Sequence, residues 1–212
     1  MNNAKYGKLM AALIATWFIF SLSASAFHAF KNDPSHPPLG VGLAVVIPIV
    51  TFLLWFTISA GFRQFVLSLN PRTLTFVHSW RVAGFVFLVL YTYGILPGVF
   101  ALPAGWGDIF IGATASLVAM TLATPNHRRS FILWQVLGIS DLVMAVTLGT
   151  LANVIEPQGT TTAAMTVLPL SLIPTFAVPL LIMLHVICIA QARRWPEHEH
   201  ARIAGHATSI AG

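Results

Sequence analysis

The stretch Phe131-Ile-Leu-Trp-Gln-Val-Leu-Gly-Ile-Ser-Asp141-Leu-Val-Met-Ala-Val-Thr-Leu-Gly-Thr-Leu-Ala152 carries one ionisable residue, Asp141, about midway along an otherwise almost wholly apolar run. Twenty-two residues of this character match the ~20 that a helix needs to cross the hydrocarbon core of a bilayer. An ionisable group at mid-membrane depth is expensive and usually has a function.

Five further windows read the same way: Met10–Ala29, Gly40–Ala60, Phe76–Leu96, Asp108–Leu122 and Val167–Ala190. The fourth is short unless it begins at Leu102. Hydrophobic residues make up 57% of the 212-residue chain and charged residues 8%, against roughly 25% charged in a soluble domain. In lipid every backbone amide must be satisfied internally, and the runs lack the period-2 alternation of a membrane barrel. The expected fold is therefore all-α: a polytopic helical membrane bundle of about six transmembrane helices. Residues 1–195 form its single domain and 196–212 a short, disordered cytoplasmic tail. The connections are too short to hold a soluble domain.

The net charge of +5 follows membrane topology and does not imply nucleic acid as a partner. With six spans, Lys5, Lys8, Arg63, Arg72, Arg128, Arg129, Arg193, Arg194 and Arg202 fall on one side. Only Lys31 falls on the other, and Arg81 lies within a span. By the positive-inside rule both termini are cytoplasmic and the membrane is the cell's inner (plasma) membrane. The N-terminus also carries the marks of a secretory signal: Lys5 and Lys8, apolar Leu9–Leu22, then Ala24-Ser25-Ala26. Cleavage after Ala26 would leave five spans in the same orientation. Retention is the expectation, because apolar character continues through Phe27 and Phe30.

Several segments punctuate the bundle. The outer loop His28–Pro38 holds three prolines and cannot continue a helix. The inner segment Gly61–Thr75 is mildly amphipathic and suits the membrane interface. Leu96–Gly107 has two prolines and three glycines yet is apolar. It reads as a loop folded onto the outer face, a short re-entrant segment, or an interfacial turn anchored by Trp106. Pro169, Pro174 and Pro179 recur every five residues in the last span, where the latter two should kink the helix and free carbonyls. The single cysteine, Cys188, reads as a small core hydrophobe. His198, His200 and His206 read as parts of the solvated tail rather than a metal site.

Two constellations could carry chemistry. Arg81 begins roughly 8 Å inside its span and Asp141 roughly 15 Å inside its own, at 1.5 Å per residue. An arginine side chain covers that difference, and pairing relieves the cost of both charges. The pair is either a structural lock or part of a proton or ion relay with Asp108 near the outer mouth. A short echo connects the two aspartates. Gly105-Trp-Gly-Asp108-Ile-Phe-Ile-Gly112-Ala-Thr114 aligns without gaps on Gly138-Ile-Ser-Asp141-Leu-Val-Met-Ala145-Val-Thr147, in consecutive and hence oppositely directed spans. Asp108, Gly112, Ala115 and Ala119 share one helical face, as do Asp141, Ala145 and Gly149; small residues there permit close helix approach. The second constellation is His78 with His185, both at the cytoplasmic level of their spans. Two imidazoles from two helices are the minimum for a bis-histidine haem b or a metal site, with Arg81 placed to meet a propionate.

There is no G-x-S-x-G, H-E-x-x-H, P-loop or C-x-x-C. No lysine lies inside a span, which excludes a retinal Schiff base. The leading expectation is a polar intramembrane site, transporter- or channel-like, in which Asp108, Asp141 and Arg81 handle an ion, proton or small solute. The alternatives are a haem b or metal-binding redox protein using His78 and His185, and a non-catalytic scaffold or assembly factor. Beyond the lipid bilayer, the composition names no partner and no oligomeric state.

Overall fold

In the computed structural model, residues 3–31, 39–156 and 159–196 are described, and no strand occurs among them. The helices are α1 (Asn3–Ala26), α2 (Leu39–Ile58), α3 (Ala60–Leu67), α4 (Pro71–Val77), a 3₁₀ segment (His78–Gly84), α5 (Phe85–Thr92), α6 (Gly98–Thr121), α7 (Arg128–Ile155) and α8 (Val178–Ala192). With α4, the 3₁₀ segment and α5 running as one, and the π-turn Ile173–Ala177 running into α8, six stretches among the described residues are long and apolar enough to cross a membrane. This supports a multi-pass membrane protein. The expected disordered tail falls on residues 197–212, outside the described residues.

Local chemistry sets the ends of these elements. Ser59 caps α3, its Oγ accepting from the Phe62 amide at 3.3 Å, and Asn70 caps α4 through Oδ1 and the Arg72 amide at 2.9 Å. Pro71 then occupies the first turn, where a missing amide costs nothing. α5 stops at Gly94, whose φ of 66° suits glycine. The Gly94 amide donates to the Tyr91 carbonyl and the Ile95 amide to the Leu90 carbonyl, both at 2.9 Å, which closes the helix with a Schellman motif. Arg63 binds the Phe56 and Thr57 carbonyls at the end of α2, at 3.3 and 3.0 Å, placing positive charge at a helix C-terminus.

Three expectations are corrected. Leu96–Gly107 is neither a loop nor a re-entrant turn: from Gly98 onward it is the first part of α6, with Pro103 inside the helix. One lost backbone bond is tolerated because Phe100, Ala101 and Ala104 bury against Phe87, Leu90 and Leu148. The third span likewise begins at Pro71 rather than Phe76 and ends at Thr92. The segment 61–75 is amphipathic, as read, but its apolar face packs inward. Phe62, Phe65 and Val66 are buried against Tyr6, Met10, Trp55 and Leu184, with Trp55 and Phe62 stacked at 4.1 Å.

The prolines of the last span also have a visible consequence. Pro174 sits in a π-turn, Ile173–Ala177, and Pro179 in the first turn of α8. Pro179 has no amide to offer the Thr175 carbonyl four residues earlier. Ser21 of α1 donates its hydroxyl to that carbonyl at 3.4 Å, and Trp17 and Phe18 pack on Phe176. Apart from these contacts and those of Tyr6 and Met10 with α3, α1 lies at the periphery. Along the apolar window of the last span, Ile173–Ala192, 50% of residues are buried, against 11% for the spans of α1 and of α2. The core therefore sits among α4–α8, where the ionisable residues converge.

Candidate functional site

The third span turns into a 3₁₀ helix at His78 and returns to α-helix at Phe85. A 3₁₀ helix has three residues per turn, so side chains at i and i+3 eclipse. Thr75, His78, Arg81, Gly84 and Phe87, spaced by three, are all buried, while Phe76, Val77, Trp80 and Val82 between them are exposed. An α-helix would rotate this stripe away by about 60° at each step. The tighter winding keeps Arg81 aimed at the core.

Arg81 is the hub. Its Nε donates to Asp108 Oδ1 of α6 at 2.6 Å, and its Nη2 donates to Asp141 Oδ2 of α7. Nη1 reaches the Gly138 carbonyl at 3.3 Å and His185 Nε2 of α8 at 3.4 Å. One guanidinium thus joins four segments. An arginine buried in this way needs every donor direction answered, since the desolvation of each charge costs several kcal/mol. The fork of the guanidinium suits two carboxylates at once.

Glycines make the convergence possible. A Cβ at Gly84 would overlap Asp108, one at Gly107 would overlap Asp141 Oδ1, one at Gly112 would overlap the Arg81–Val82 backbone, and one at Gly138 would overlap the His185 ring. The echoed aspartates therefore have matching roles, each accepting from Arg81, one from Nε and one from Nη2. The echoed threonines each donate to the carbonyl four residues earlier, Thr114 to Phe110 at 2.7 Å and Thr147 to Val143 at 2.8 Å, and Thr114 in addition accepts from Trp134 Nε1 at 3.0 Å.

His78 and His185 meet in the core rather than at a headgroup boundary. Both are 0% exposed, and their rings stack at 3.7 Å between centroids with 19° between planes. His185 Nδ1 lies 2.5 Å from Gln135 Oε1. A carbonyl oxygen only accepts, so Nδ1 carries the proton and Nε2 turns its lone pair to Arg81. The Gln135 amide donates onward to Thr75 Oγ1 at 3.2 Å, and that hydroxyl lies 3.8 Å from Cys188 Sγ. Neither nitrogen of His78 has a hydrogen-bond partner, and neither has Asp141 Oδ1. Such buried orphans are uncommon and call for a reason.

The haem b alternative does not fit this arrangement. Axial imidazoles point their nitrogens at an iron from opposite faces of the porphyrin, roughly 2 Å from the metal on each side. Rings stacked face to face at 3.7 Å leave no slot for a macrocycle between them. Among the described residues no group of three or more His, Cys, Asp or Glu side chains gathers as a metal-ligand set.

Gln135, Thr75 and the glycines were missed as site residues. Gln135 lies within the very stretch that points to Asp141, on the buried stripe Phe131, Gln135, Gly138, Leu142. A lone amide on an apolar helical stripe was the available signal.

A family model matches residues 38–193, from just before α2 through the end of α8 and including every site residue above. The chain belongs to the DUF8737 family. That family is described as a domain of unknown function. No curated protein and no solved structure matches the chain. What this DUF8737 chain does must therefore be argued from its site.

Proposed function

We propose that this DUF8737 chain is an inner-membrane protein, both termini cytoplasmic, that handles an ion, proton or small solute at the Arg81 cluster. The observation that carries this reading is one guanidinium held between two carboxylates inside six apolar helices, with one more negative than positive charge. A purely architectural lock needs only one partner for Arg81. The surplus carboxylate leaves a charge that a mobile species must neutralise, and intramembrane ionisable residues mark ion and proton pathways. The 3₁₀ segment and the π-turn of the last span add two places where helical winding changes, as occurs at functional hinges.

The orientation rests on nine basic residues against one. Reporter fusions after Gln64, Asn126 and Arg194 should read cytoplasmic, and fusions after Asp33, Gly94 and Gln158 external. An external reading at Asn126 would break the six-span arrangement.

Flux is tested in proteoliposomes of the purified full-length protein. Interior dyes report H⁺, Na⁺ or K⁺ entry under an imposed gradient. The wild type should admit one of these faster than protein-free vesicles, and Asp141→Asn should return to the protein-free rate. Vesicles as tight as protein-free ones to all three would make the cluster architectural and favour the scaffold reading.

A further inference from the structure

We infer that the species held at this site is a proton, bound on Asp141 Oδ1, so that the cluster rests as Arg81⁺ with one carboxylate and one carboxylic acid. This deepens the proposed function and rests on it for the proton's role, but not for its presence.

The charge count comes first. Arg81 of the 3₁₀ segment bonds Asp141, Asp108 of α6 and His185 of α8, and His78 stacks on His185, so these are the ionisable groups of the cluster. His185 accepts from Arg81 through Nε2 and is therefore neutral. His78 lies flat on His185 with no acceptor at either nitrogen, an arrangement that suits a neutral ring. That leaves one positive and two negative groups in an apolar core, and like charges sharing such a site do not both stay ionised.

The geometry then selects the species. A solute anion finds at most one free donor, because four of the five guanidinium N–H groups of Arg81 are engaged, and the carboxylates of Asp108 and Asp141 beside it would repel an anion. Hard metal cations need about six or more oxygens. Here Asp108 Oδ1, Asp141 Oδ2 and the Gly138 carbonyl already accept from the guanidinium, and the guanidinium would repel a second cation. Two carboxylate oxygens remain, Asp108 Oδ2 and Asp141 Oδ1; the Asp108 side chain is the more exposed of the two, 17% against 10%, whereas Asp141 Oδ1 is buried without a partner and presses against Gly107 where a Cβ would overlap it. A proton fits there and leaves Oδ2 free to accept from Nη2.

Infrared spectroscopy of the full-length protein in detergent at neutral pH reads this directly. The chain has six acidic side chains, so variants at Asp108 and Asp141 assign any carboxylic-acid band to the cluster. The wild type should show the carbonyl band of one protonated carboxylic acid, shifted down in D₂O. Asp141→Asn should abolish it. So should Asp108→Asn, because the surviving aspartate is then balanced by Arg81. Arg81→Gln should strengthen it. A wild-type spectrum without the band overturns the inference, and needs no variant to fold. A band that persists unchanged in Asp108→Asn overturns the charge argument behind it. The vesicle assay stays independent: a band without flux keeps the proton site and removes the transport reading. Na⁺ or K⁺ flux without the band removes the proton and keeps transport.

Discussion

Arg81→Leu is expected to be among the most destabilising single substitutions in the bundle, by about 3–5 kcal/mol, the range for removing one partner of a buried ion pair. Asp108 and Asp141 would then share an apolar site with no cation, and a carboxylate that stays charged there would be buried unpaired. The Gly138 carbonyl and His185 Nε2 would lose their donor as well. The reverse changes should cost less. Asp141→Leu or Asp108→Leu leaves the guanidinium with its other carboxylate, so each loses about one charge-assisted hydrogen bond, roughly 1.5–3 kcal/mol. A simple ion pair would instead penalise either partner similarly. The double variant Arg81→Leu with Asp141→Leu should recover part of the loss, and a double-mutant cycle on detergent unfolding measures the coupling. Additive losses would mean that the contacts carry no stability. Arg81→Leu no worse than Asp141→Leu would mean that the guanidinium is not the hub on which both aspartates depend.

Much of this site could be read in the sequence because charge is so scarce there. With 8% charged residues, a lone Asp141 and a lone Arg81 in apolar runs have few partners to choose from, and depth arithmetic brings them within reach of an arginine side chain. The third member, Asp108, reads from the sequence as lying near the outer mouth, because the segment before it has the composition of a loop. Two prolines and three glycines in Leu96–Gly107 look like punctuation, since proline is usually a breaker in water-soluble helices. Inside a bundle, burial of Phe100, Ala101 and Ala104 offsets the single lost hydrogen bond. The 3₁₀ segment had no sequence signature beyond its spacing by three, Thr75-His78-Arg81-Gly84-Phe87, which an expectation of α-helix obscures. Face-to-face stacking of the two histidines was beyond a sequence argument: equal depth is legible, but ring orientation depends on Gln135 and on the absence of a Cβ at Gly138.

The glycines supply the sharpest contrast in the packing. Gly112→Ala is expected to cost about 1–3 kcal/mol or more, the range for overpacking a dense core. Its Cβ would meet the backbone of Val82 and Arg81, and backbone cannot step aside as a side chain can. The displacement would also carry Arg81 away from its aspartates, so packing and electrostatic losses arrive together. Gly149 shares the small-residue character of these helices, and sequence alone treats the two glycines alike. In the structure a Cβ at Gly149 would lie 3.5 Å from the Phe100 ring, an ordinary van der Waals contact. Gly149→Ala should therefore be neutral or stabilise α7 by up to about 1 kcal/mol, because alanine loses less conformational freedom in a helix than glycine does. Thermal unfolding of both variants in one detergent separates the cases. Equal behaviour of the two would show that α6 does not press on the 3₁₀ segment, and the alignment of His78, Arg81 and Gly84 toward the core would lose its support.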